Sequence, residues 1–200
     1  MALRTAARVG GVLGPAMFLF GWIISALRTD GYSVIEDAIS RLAAVGAPTR
    51  WLMTAGFIGF TVGVAVYAYG LRSRLDGPAW IAALIASIAT LGVALFPLDH
   101  SSGVDLLHGA AAFTGYIALS ALPLCAAPEL ARRGHRRAAR LSRLCGTISS
   151  LALAATLLGP AHGLFQRIGV TVGDTWIAGS ALWLLAGPAK IDDAVTVADL

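Results

Sequence analysis

Six stretches of mostly apolar residues follow one another along the chain, at about 9–27, 51–71, 79–96, 106–127, 141–161 and 170–189. A bilayer core of about 30 Å is crossed by about 20 apolar residues wound as a helix. In lipid, a helix also satisfies its own backbone N–H and C=O groups. Burying six such runs inside a soluble protein is not an option here. Of the 200 residues 57% are hydrophobic and only 13% are charged, against about 25% charged in soluble domains. A chain of this length leaves much of its surface outside any core, so lipid must cover part of it. The expected fold is therefore all-α: a polytopic membrane bundle of about six transmembrane helices, forming a single integral membrane domain over 1–200. The sixth run is the weakest, because Asp174 falls near its start. The first run follows Arg4 and Arg8, yet it is long for a signal peptide and no A-x-A site follows it, so it is read as retained.

Basic residues set the orientation. Arg4 and Arg8 precede the first helix, Arg72 and Arg74 lie in the second loop, and Lys190 follows the last helix. Arg132, Arg133, Arg136, Arg137, Arg140 and Arg143 crowd the fourth loop. The opposite side has only Arg28, Arg41, Arg50 and Arg167. The richer side is expected in the cytoplasm, which puts both termini there and the protein in the cytoplasmic membrane. A pI of about 9.6 in a soluble chain would suggest nucleic acid. Here the arginines flank apolar runs and no nucleic-acid motif is present, so membrane lipid is the expected partner. Cys125 and Cys145 fall near the predicted cytoplasmic helix ends, where packing rather than a disulfide is expected.

Two features bear on packing. Gly10 with Gly14 and Gly59 with Gly63 have the G-x-x-x-G spacing that lets helix backbones approach closely, although chance produces such pairs in a glycine-rich chain. In the first outer loop, Ile35, Ala38, Ile39 and Leu42 fall at i, i+3, i+4 and i+7. That spacing predicts a short amphipathic interfacial helix over about 34–43, with its apolar face toward helices or lipid. Asp37 and Arg41 are spaced to pair along it.

Most of the unusual polar chemistry gathers at the outer helix ends: Asp99, His100, Asp105, His108, His162, Gln166, Arg167 and Asp174. Polar groups at a membrane boundary are costly unless paired or hydrated, which makes them candidate site residues. If Asp105 begins the fourth helix, His108 shares its face, and Asp99 reaches His108 across the loop. A carboxylate beside imidazole suits general acid or base catalysis, so Asp99 and His108 are the candidate catalytic pair. The same residues also suit a plain helix cap with a packing histidine, or a transition-metal site, although their spacing matches no specific ligand pattern. His162, Gln166, Arg167 and Ser40 are the candidate substrate-binding residues, with Arg167 placed to hold a phosphate or carboxylate. A salt bridge from Arg167 to Asp174 or Asp99 is the structural alternative. Ser40, Ser101 and Ser102 sit in no nucleophile-elbow motif. No haem motif or phosphate-cradling loop is present, and no cofactor or metal is assigned.

Ile39-Ser40-Arg41-Leu42, the stretch Gly46-Ala47-Pro48-Thr49-Arg50-Trp51-Leu52-Met53, Phe96-Pro97-Leu98-Asp99, His108-Gly109-Ala110, Gly163-Leu164-Phe165-Gln166-Arg167 and Trp176 together carry a resemblance. They resemble, in order and over nearly the whole chain, the bacterial membrane family catalogued as domain of unknown function 998. More distantly, the serine-bearing first loop and the histidine opening the fourth helix look like the eukaryotic Frag and DRAM membrane proteins, a group that includes a glycolipid-anchor remodelling factor. The closer resemblance implies the topology and the site map, not a reaction. Its members commonly carry an acidic residue after the first-loop serine, where this chain has Arg41.

Two readings follow. One is a lipid-modifying protein acting at the outer leaflet through Asp99 and His108. The other is a non-enzymatic lipid-binding, transport or accessory membrane protein, in which the same residues form a polar plug. Transport draws little support from the predicted boundaries, since they leave no charge deep within a helix.

Overall fold

The computed structural model describes residues 2–185. Among the described residues, six α-helices make up the bundle: α1 Ala2–Leu27, α2 Arg50–Arg72, α3 Ala79–Leu95, α4 Ser102–Arg132, α5 Arg136–Ala155 and α6 His162–Leu184. A short 3₁₀ helix, Ile39–Ala43, lies between α1 and α2. The predicted end of the sixth helix at 186–189 and Lys190 fall outside the described residues. By length and composition α1, α2 and α4 can each cross a bilayer, and α3 is a shorter apolar helix. Large apolar side chains face outward on several helices, among them Phe20 on α1, Ile88 on α3 and Leu151 on α5. Such surfaces belong in lipid rather than in water. The chain is a multi-pass membrane protein.

Consecutive helices pack side by side and α6 closes back on α1, while α6 also reaches α2 and α4 across the middle. Met53, Val64, Tyr67, Leu71, Leu122 and Ile177 are fully buried at the centre. The seam between α1 and α2 is built on absent side chains. A Cβ at Gly10 would stand 2.6 Å from the Gly63 carbonyl oxygen, and one at Gly63 would stand 2.6 Å from the Cα of Gly14. Further along, Gly21 meets Gly56, whereas Gly59 faces the Met17 side chain. The first glycine pair therefore serves close approach as a unit, and the second only through Gly63.

The helix boundaries change how the polar residues read. α5 stops at Ala155, and Pro160 lies in the turn that follows. Ala161 then takes a left-handed φ of 66°, and α6 starts at His162 rather than near 170. Asp174 is consequently about three turns from either end of α6, deep in the bundle. The expectation that no charge lies deep within a helix is thereby overturned. Hydropathy hides such a start because it penalises Gln166 and Arg167, which α6 turns inward among its neighbours. α4 likewise starts early. Ser101 caps it, accepting a bond from the Val104 N–H at 3.4 Å, and Asp105 sits within the first turn instead of opening the helix.

Candidate functional site

The loop between α1 and α2 folds inward over one end of the bundle. Only Ile39–Ala43 is helical there, as a 3₁₀ turn, and the predicted four-residue apolar face does not form: Ile35 is 50% exposed while Ile39 is 2% exposed. A local turn competes with the longer helix, because the Asp37 carboxylate accepts from the Ser33 N–H at 2.8 Å. The expected Asp37–Arg41 pair is replaced by Arg41 with Asp99 at 3.0 Å.

Docking of this loop explains several candidate residues. The Ile39 N–H donates to Gln166 Oε1 at 2.8 Å, and the Leu164 N–H donates to the Ile35 carbonyl at 2.9 Å. Arg167 donates from Nη1 to the carbonyls of Asp37 at 2.9 Å and Gly163 at 2.8 Å, and from Nη2 to the Tyr32 hydroxyl. Its guanidinium also lies over the rings of Trp22 at 5.1 Å and Tyr32 at 5.4 Å, within cation–π range. Burial pushes the Tyr32 hydroxyl above its ordinary pKa, against the pull of Arg167. Gly163 makes the approach possible, since a Cβ there would collide with the Asp37 carbonyl. Arg167 is therefore a clamp on the loop. It forms no salt bridge to Asp174 or Asp99.

Beneath the docked loop lies a pocket with a cavity volume of about 70 Å³ that continues into an open mouth. α6 contributes Gln166, Val170 and Asp174, spaced i, i+4, i+8. α4 contributes His108, Ala112 and Tyr116 at the same spacing, with Ala111, Gly115 and Leu119 beside them. α3 supplies Ala86, Ala89, Thr90 and Val93, while Phe18, Phe57 and Phe60 form the wall from α1 and α2. Ile39 and Ser40 of the 3₁₀ turn also line it. The wall is mostly apolar, and most of its polar groups are already engaged. His108 Nδ1 bonds the Phe96 carbonyl at 2.7 Å, capping the carboxyl end of α3. Gln166 Nε2 donates to the Tyr116 hydroxyl, and Thr90 Oγ1 donates to the Ala86 carbonyl at 2.9 Å. Asp174 differs: its Oδ1 is buried without a hydrogen-bond partner.

The structure thus brings His108, Ser40 and Gln166 to one pocket and leaves Asp99, His162 and Arg167 out of its lining. Asp99 is exposed, with a left-handed φ of 63°. It is held by Arg41, and its N–H donates to Asp105 Oδ1 at 3.0 Å. The Asp99–His108 pair does not form, because each residue is drawn to a different partner. His162 is exposed at the first position of α6. Among the described residues no three His, Cys, Asp or Glu side chains gather to hold a metal. Sequence reasoning missed Tyr116, the phenylalanines and the depth of Asp174. The matching four-residue spacings on α4 and α6 were the available signal.

The chain belongs to the family described as protein of unknown function (DUF998), which matches residues 12–183. No curated protein and no solved structure matches it.

Proposed function

We propose that this DUF998 chain is a non-enzymatic membrane protein that binds the apolar part of an amphiphilic molecule in the pocket beneath the docked loop. The observation that carries this reading is the pocket itself: a mostly apolar space with an open mouth, walled by α1, α2, α3, α4 and α6. It favours binding over lipid modification, because Asp99 and His108 are committed to Arg41 and to the Phe96 carbonyl. All six helices cross the membrane in this reading, with the arginine-rich end in the cytoplasm and the loop end outside. Impermeant thiol labelling of intact cells tests the orientation after Cys125 and Cys145 are replaced. Ser101→Cys should label and Arg136→Cys should not; the reverse pattern inverts the topology.

A photoactivatable alkyl diazirine tests the binding. Incubated with the protein in membranes, it should mark pocket residues such as Ala89 and Ala112. The Ala112→Phe variant, which fills the space, should lose that labelling while keeping the labels on the outer surface. Labelling confined to the outer surface in both proteins would remove the proposal.

A further inference from the structure

We infer that the molecule this pocket takes carries a positive charge, a hydrophobic ammonium, and that the Asp174 carboxylate is its counter-ion. The inference rests on the reading of the pocket as a binding site and adds the chemical class of what it binds.

Asp174 is 7% exposed, it lines the pocket, and its Oδ1 has no hydrogen-bond partner. Buried polar groups in folded proteins are nearly always paired, and a buried carboxylate calls for a cation or a donor. None of the ion pairs among the described residues includes it. Arg167, about two turns away on the same helix, is directed to the Asp37 and Gly163 carbonyls and to Tyr32. His108 is the one basic residue in the lining, and its ring is bonded to the Phe96 carbonyl. The pocket therefore holds an acidic group with no arginine or lysine facing it.

The surroundings suit a cation for a second reason. Phe18 packs against Phe57 at 5.9 Å and, edge to face, against Phe60 at 5.8 Å. These rings, with Tyr116, form part of the same lining. Aromatic faces attract an ammonium group, most strongly where water is excluded. A ligand with a protonated amine at Asp174 and an alkyl body against Ala86, Ala89 and Val93 would match the pocket in charge and polarity. An anionic amphiphile would place like charges together.

Equilibrium dialysis in an uncharged detergent separates these possibilities, using radiolabelled dodecylamine, dodecanol and dodecanoate on the purified full chain. Wild type should bind dodecylamine at least about tenfold more tightly than dodecanol, a difference typical of one buried charge pair. Asp174→Asn should abolish that preference, so that amine and alcohol bind equally; comparing the two proteins cancels partitioning into micelles. Equal binding of amine and alcohol by wild type, or a preference retained in Asp174→Asn, would overturn the counter-ion role while leaving the pocket reading in place. Binding of none of the three would remove the pocket reading and this inference with it. Thermal unfolding of Asp174→Asn shows whether the variant is folded. If it is not, Asp174→Glu, which keeps the charge, must retain the amine preference, and its loss would count against the inference.

Discussion

Arg167 and Asp174 lie on one helix and are both buried, yet their surroundings differ. The Arg167 guanidinium is bound by two backbone carbonyls, a tyrosine hydroxyl and two aromatic rings. The Asp174 carboxylate faces a pocket, with one oxygen unpartnered. Both groups bear the cost of leaving water. At the loop end the chain answers most of that cost with its own groups, leaving Arg167 Nε without a partner, whereas deeper in the bundle none of the described ion pairs includes Asp174. The contrast separates a region built for docking from a region left open for something else.

Breaking the clamp should have the largest effect. Arg167→Met removes three hydrogen bonds and strands the acceptors they served. It should lower the stability measured by thermal unfolding in detergent by about 3 kcal/mol or more, with faster hydrogen exchange across residues 32–43. A loss below about 1 kcal/mol would mean that the loop is held by other contacts. The α1–α2 seam comes next. Gly63→Val forces two touching backbones apart and should cost about 2–3 kcal/mol, read from the same unfolding curves; an unchanged midpoint would show that the helices separate freely. On the open side of the comparison the sign reverses. Asp174→Leu replaces an unpaired buried carboxyl with an apolar side chain and should raise ligand-free stability by about 1–2 kcal/mol. A clear loss would reveal a structural partner for Asp174 and erase the contrast. Smallest of all, Arg41→Ala breaks a pair whose side chains are 51% and 49% exposed, and solvent screening should hold the change below about 1 kcal/mol.

Both regions were partly legible in the sequence. The alternation of apolar runs with arginine-bearing loops conveys the helical bundle, because lipid imposes length and polarity on each segment separately. The docked loop was visible as an apolar cluster, but not its conformation. The spacing of Ile35, Ala38, Ile39 and Leu42 fits a helical face, whereas the loop is held by bonds from Gln166, Leu164 and Arg167, more than a hundred residues away in sequence. His108, Ser40 and Gln166 stood out as polar residues beside a membrane, while the partners of Asp99 and Arg167 depended on tertiary contacts. Hydropathy alone puts Asp174 near a helix end, because its inward-facing neighbours Gln166 and Arg167 lower the local value. Once α6 is extended to His162, its depth follows from counting turns.

The central claim is that the pocket is a site that a molecule occupies in the membrane. Native mass spectrometry of the full chain released from its own membranes tests this directly, with wild type and Ala112→Phe prepared in parallel. The account predicts a bound small amphiphile on wild type and none on Ala112→Phe, with both chains unfolding at similar temperatures. A bare chain in both preparations, or the same adduct on both, would contradict it.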